Sequence, residues 1–125
     1  MRIIKFRIWC KVSKQYHYNW IKHIEQIDGD LLVWEQFTGL LDKEGREIYE
    51  GDIVDSCYYY DYEEPWGGQN SALDDFRGKI EYDSENACFY INAPALRSYK
   101  KLFSEIELKE TKIIGNIHET PSLLN

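Results

Sequence analysis

Gln36-Phe37-Thr38-Gly39-Leu40-Leu41-Asp42-Lys43-Glu44-Gly45-Arg46-Glu47-Ile48-Tyr49-Glu50-Gly51-Asp52-Ile53-Val54 sets two turn signals, Lys43-Glu44-Gly45 and Glu50-Gly51-Asp52, between short apolar runs. Glycine after a charged residue supplies the positive φ that hairpins and bulges need, and Ile48, Ile53 and Val54 suit a pleated, half-buried surface. The stretch predicts compact β-structure with tight corners, and Thr38-Gly39 marks a further corner before them.

From Ile48 onward, Ile-Tyr-Glu-Gly-Asp-Ile-Val-Asp resembles the early strand and bulge of an SH3-like small barrel, where a glycine beside an acid lets a strand bend sharply. Glu50 and Asp52 invite a catalytic reading. Acids beside a bulge glycine commonly cap the turn, and the sequence places no histidine, lysine or third acid next to them. Upstream, Asp28-Gly29-Asp30 is a turn and Leu31 to Phe37 a strand that leads into the organising stretch.

Three motifs stand in order along the chain: Phe6-Arg7-Ile8-Trp9, the stretch from Gln36 to Val54, and Ile113-Ile114-Gly115-Asn116-Ile117-His118-Glu119-Thr120-Pro121. Together they resemble the YopX family, small proteins of bacteriophages and prophages. The resemblance implies a closing strand over Lys112 to Ile117 and carries no activity, cofactor or ligand with it.

Composition sets outer bounds. The 125 residues are 43% hydrophobic, enough to bury one core, and 15% aromatic, with ten Tyr and four Trp, which favours strands and flat contact surfaces over a helical bundle. Up to Ile24 there are six basic residues and no acid, whereas the rest of the chain carries nine basic and 22 acidic residues, about −13 against −7 for the whole. Such asymmetry fits a basic edge that meets nucleic acid, or one that meets the acidic remainder of the same chain or of a neighbouring copy; net acidity favours the latter. Cys10, Cys57 and Cys88 form no C-x-x-C pair, so neither a disulfide framework nor a metal site is expected, and a reducing host cytoplasm fits. No signal-peptide run or membrane-span window is present in the sequence, and no cofactor motif.

In the first strand Ile4, Phe6 and Ile8 alternate with Lys5, Arg7 and Trp9, which predicts an exposed face bearing the charges. With Arg2 and Lys11, the residues Lys5, Arg7 and Trp9 make the candidate nucleic-acid contact, bases stacking on the indole. Gln15 to Ile27 fits both strand and helix spacing, and His17 and His23 lie too far apart for a helical metal pair.

Asp55 to Phe76 holds six acids and no base, with Pro65, Gly67 and Gly68 interrupting it, and predicts a long projecting loop. Its aromatics Tyr58, Tyr59, Tyr60, Tyr62 and Trp66 are the candidate protein-contact residues. Beyond it, Lys79 to Asp83 and Cys88 to Asn92 flank Ser84-Glu85-Asn86 as a hairpin, and Pro94 to Leu108 carries a helical stripe of Leu96, Tyr99, Leu102, Phe103 and Ile106.

The expected fold is therefore α+β and β-rich: an SH3-like small β-barrel over residues 36–125, with the acidic, tyrosine-rich loop at 55–76 and one short helix, and an N-terminal strand region over residues 1–35 packed on it. The expected function is contact with protein, either as a homo-oligomer or with a host or phage protein. The alternative is a nucleic-acid-binding module that uses the basic first strand. Acid–base pairs such as Asp52 with His118 can be drawn, but the sequence does not place them within hydrogen-bond reach, and no catalytic or metal-binding residue is assigned.

Overall fold

The computed structural model describes residues 4–18 and 26–125. Nine antiparallel strands among them form two sheets. The first sheet has the order β2-β1-β3-β4, with β1 at Phe6–Cys10, β2 at Gln15–His17, β3 at Leu32–Leu41 and β4 at Glu47–Tyr49. The second has the order β8-β7-β6-β5-β9, with β5 at Asp52–Glu63, β6 at Gln69–Asp83, β7 at Cys88–Asn92, β8 at Lys100–Leu102 and β9 at Lys112–Asn116.

The organising stretch folds as its turn residues dictate. Thr38-Gly39 is an irregularity in β3: the pairing with β4 shifts between Phe37 and Leu41, Gly39 takes φ +90°, and the Thr38 hydroxyl donates to the Ile48 carbonyl. Asp42 closes the next turn by accepting from the Glu44 and Arg46 backbone amides on one oxygen, while its other oxygen accepts from the Ile113 amide of β9. One buried carboxylate thus pins the first sheet to the last strand of the second. At the Glu50-Gly51 corner the chain passes from one sheet into the other, and Gly51 has φ +84° with the Glu35 carboxylate packed where a Cβ would stand.

The core lies within the second sheet and the corner that feeds it: Ile48, Val54, Phe76, Ile80, Ile91, Ala93 and Ile113, with Phe89, Leu96, Phe103, Ile106 and Leu108 packed around them. β9 returns to pair with β5, and on the far side Ile106 bridges to Tyr58 while the Glu107 amide donates to the Cys57 carbonyl. The sheet therefore curls into a half-barrel.

Three expectations change here. The helix expected over residues 94–108 is absent: the segment holds β8 and two 3-10 turns, Phe103–Glu105 and Leu108–Glu110. Pairing along β7, where Tyr90 to Asn92 meet Leu102 to Lys100, satisfies the backbone groups of the β7 edge, which a helix bonded only to itself would leave open. The expected boundary at residue 35 falls inside β3, and the first sheet runs on to Tyr49. The loop expected at residues 55–76 is strand almost throughout, belonging to β5 and β6. The readings of Trp20, Ile21, His23 and Ile24 lie outside the described residues.

Candidate functional site

β5 and β6 pair residue for residue from Ile53↔Lys79 to Glu63↔Gln69, closed by a tight turn in which the Gly67 amide donates to the Glu64 carbonyl and the Glu64 amide to the Gly68 carbonyl. β9 covers β5 only as far as Asp55, and β7 covers β6 only from Lys79. Ser56, Cys57 and Tyr58 still meet Thr111, Glu107 and Ile106, and from Tyr59 to Leu73 the ribbon has only itself as a strand partner and projects as a two-stranded arm. The strand-breaking residues Pro65, Gly67 and Gly68 all fall in or beside the tip, which leaves Asp55 to Glu63 and Gln69 to Phe76 free to pair.

Strand periodicity divides the arm into two faces. On one, Tyr58, Tyr60 and Tyr62 stand in file, with ring centroids 6.1 Å apart at each step. Their cross-strand neighbours are Asp74, Ala72 and Asn70. This face continues the inner side of the half-barrel, since Val54 and Phe76 of the core occupy the same alternation nearer the base. On the opposite face Tyr59 stands across from Leu73, 62% and 47% exposed. Trp66 at the tip is 79% exposed. All five candidate contact residues thus belong to one arm, and Leu73 joins them, a residue that its neighbours Asp74 and Asp75 disguised in the sequence. At the base, Arg77 grips Asp55 through two hydrogen bonds of 2.6 and 3.1 Å.

The basic first strand is placed differently from its alternation. Arg7, Ile8, Trp9 and Cys10 are all buried, while Phe6 is exposed. β1 lies between β2 and β3, and its register sets Arg7 opposite Glu35 and Trp9 opposite Tyr16. The Arg7 guanidinium donates from Nε to Glu35 Oε1 at 2.9 Å and from Nη2 to the Glu50 carbonyl at 3.1 Å, pairs with Asp52 at 2.9 Å, and lies 4.0 Å from the Tyr16 ring centroid. Lys5 pairs with Glu47. Of the proposed nucleic-acid contacts, Arg7 and Trp9 are therefore enclosed, Lys5 is engaged within the chain, Lys11 is exposed in the turn after β1, and Arg2 lies outside the described residues. Two bases from the start of the chain, Lys5 and Arg7, thus meet acids of the same chain.

Arg7 belongs to a buried polar cluster. Glu35 accepts from Arg7, from the Tyr16 hydroxyl at 2.9 Å, and lies 2.9 Å from His118 Nε2, so its two oxygens meet three side chains. His118, delivered by the turn after β9, stacks on Trp9 with centroids 4.7 Å apart and planes within 4°. Asp52 accepts from the Tyr49 amide at 2.8 Å. Asp52 and His118 are thus opposite ends of one network rather than the pair drawn from sequence. Burial lowers the Arg7 guanidinium's proton affinity, but the carboxylates of Asp52 and Glu35 offset it, and the net direction is upward. Burial also holds the Asp52 carboxyl above its ordinary value against the pull of Arg7. Desolvation pushes Tyr16 far upward and Tyr49 to about 12, keeping both phenols neutral.

Every buried side-chain nitrogen and oxygen among the described residues has a partner. The cluster ties β1, β2, β3, the Gly51 corner and the C-terminal turn together. An open cleft of about 320 Å³ beside it is lined by Trp34, Glu35, Glu50, Lys79, Glu81 and Tyr82 among others. Among the described residues no group of three or more His, Cys, Asp or Glu is placed to hold a metal ion. No described helix is long and apolar enough to cross a membrane.

The chain matches the YopX protein family over residues 6–125. It also superposes on the crystal structure of protein EF1440 from Enterococcus faecalis, with a TM-score of 0.62 and 24% identity over 100% of both chains. At that identity the likeness is one of fold. A search of curated proteins finds no match.

Proposed function

We propose that this chain, which belongs to the YopX family, is a phage or prophage accessory protein of the host cytoplasm that acts through protein–protein contact rather than catalysis, using the β5–β6 arm. The observation that carries the reading is the arm's exposed aromatic surface. Tyr59, Tyr60, Tyr62, Trp66 and Leu73 project on a ribbon that the core does not cover. Monomeric proteins rarely leave such apolar area in water without a use for it, and Tyr and Trp give contact area at low entropic cost.

The Tyr59 and Leu73 face fits a second copy, arm against arm, in a homo-oligomer. Asp61, Glu63 and Asp75 share that face, so like charges oppose the contact and added salt screens them. Sedimentation velocity over the micromolar range at low and high salt tests this. The expected result is self-association that strengthens with salt and is lost in Tyr59→Ser/Leu73→Ser; a monomer at every concentration and salt overturns the homo-oligomer.

We also read β5 to β9 as an SH3-like barrel. Supporting it are the meander from β5 to β8, the return of β9 to β5, and the 3-10 turns just before β9.

A further inference from the structure

The tyrosine file faces away from the proposed copy-to-copy surface and carries a signature of its own. At its first rung the ammonium of Lys101 lies 4.2 Å from the Tyr58 ring centroid, within the range of a cation–π contact. The chain thus already seats one cation on this file, at the point where Ile106 bridges to Tyr58 and the half-barrel closes. Among the described residues, cation contacts on the file are confined to that rung. Tyr60 and Tyr62 continue outward, 43% and 37% exposed.

Two further observations define what would lie there. The centroid spacing of 6.1 Å between successive rings is close to the repeat of alternate residues along a β-strand, about 6.4–6.8 Å. The arm as a whole is acidic: Asp74 lies on the file's own face across from Tyr58, Asp61, Glu63 and Asp75 stand on the opposite face of the same ribbon and Glu64 at its tip, with no base between Asp55 and Phe76. An anionic ligand is repelled by Asp74 and by the charge of the arm, whereas a cation is favoured by that charge and by the ring faces together.

Granted that the arm is a contact element, as proposed above, we infer that its Tyr58-Tyr60-Tyr62 face binds an extended segment of a partner protein with lysine or arginine at alternate positions. Each cation sits over one exposed ring and the backbone of the segment runs along the ribbon. The partner is a different protein: within β1 to β9 the one pair of accessible bases at alternate positions is Arg77 and Lys79 of β6, and these are engaged by Asp55 and Glu81 in a strand that is already paired with β5 and, from Lys79 on, with β7. The segment and a second copy use opposite faces of the arm, so the two contacts are compatible.

The probe is a fluorescein-labelled peptide of alternating Lys and Thr, compared by anisotropy with one of the same composition in which the lysines form a single block. The alternating peptide binds the intact protein more tightly than the block peptide, and its affinity falls as salt rises. Tyr60→Ile/Tyr62→Ile keeps β-branched strand formers and removes the ring faces; without two exposed cation–π interactions, binding weakens about tenfold. Tyr60→Phe/Tyr62→Phe retains most of the affinity. Equal affinity for the two peptides, or full affinity in the isoleucine variant with an unchanged circular dichroism spectrum, overturns the inference. Salt separates this from the homo-oligomer, because peptide binding weakens with salt while arm-to-arm association strengthens. Loss of one leaves the other to be judged on its own titration.

Discussion

Replacing Arg7 by methionine removes the centre of the buried cluster while keeping most of the apolar stem. Arg7 holds two carboxylates at 2.9 Å, those of Glu35 and Asp52, and is itself only 4% exposed. Deleting one partner of a buried pair strands the other charge, at a cost of about 3–5 kcal/mol. Glu35 retains Tyr16 and His118, and Asp52 retains the Tyr49 amide, so the loss falls toward the lower end, about 3 kcal/mol. That is a large share of the roughly 5–15 kcal/mol that holds a domain together.

The deficit also has a pH signature. Burial already keeps the Asp52 carboxyl above its ordinary value, and without Arg7 the main opposing pull is gone. A carboxyl whose native pKa exceeds its unfolded value of about 3.9 stabilises the fold fully below that value and loses the contribution as pH rises through the native one. Arg7→Met therefore costs most at neutral pH and less as pH falls into the carboxylate range. Urea unfolding followed by tryptophan fluorescence, which senses the buried Trp9, measures the difference from the intact protein at each pH. A neutral substitution, or a deficit that grows in acid, refutes the assignment of Arg7 as the partner of both acids.

Gly51→Ala forces a side chain to φ +84° and into the Glu35 carboxylate, so a loss above about 2 kcal/mol is expected, whereas Gly45→Ala, at φ +80° in open space, costs about 1–2 kcal/mol. Chemical denaturation of the two variants compares them. Asp42 is held below its ordinary value: burial opposes ionisation, but the Ile113, Arg46 and Glu44 amides overcome it. Its contribution is present above the unfolded pKa and fades as pH falls toward the native one. Asp42→Ala therefore destabilises by about 2 kcal/mol or more at pH 7 and by less in acid, as thermal melts across pH will record. Trp66→Ala, at the exposed tip, leaves unfolding free energy within about 0.5 kcal/mol of the original.

Turn chemistry and pairing were legible where the signal was local. Gly45 and Gly51 sit at positive φ as their neighbours implied, and the hairpin of β6 and β7 closes where Ser84 to Asn86 announced it. Burial of charge was not legible. Arg7 occupies an alternation slot that reads as solvent-facing, and only the tertiary meeting of β1, β3 and the Gly51 corner supplies Glu35 and Asp52. A lone arginine between apolar residues in a strand flanked on both sides was the one available hint. His118 likewise reached Trp9 and Glu35 through a fold that brings residue 118 beside residues 9 and 35, a separation that no local pattern encodes. In the arm, glycine and proline clustered so closely around the tip that they outweighed two strands of mixed acid and aromatic character.

Hydrogen exchange along the arm is the sharpest test of the contact reading. A ribbon whose outer edges lack strand partners exchanges quickly when alone, and a bound copy or segment slows it. Amides of residues 59–63 and 69–76 are expected to gain protection as protein concentration and salt rise together, or on addition of the alternating Lys-Thr peptide, while Ile80 and Ile91 in the core stay unchanged. Fast exchange throughout the arm under every one of these conditions would rule the arm out as a contact element.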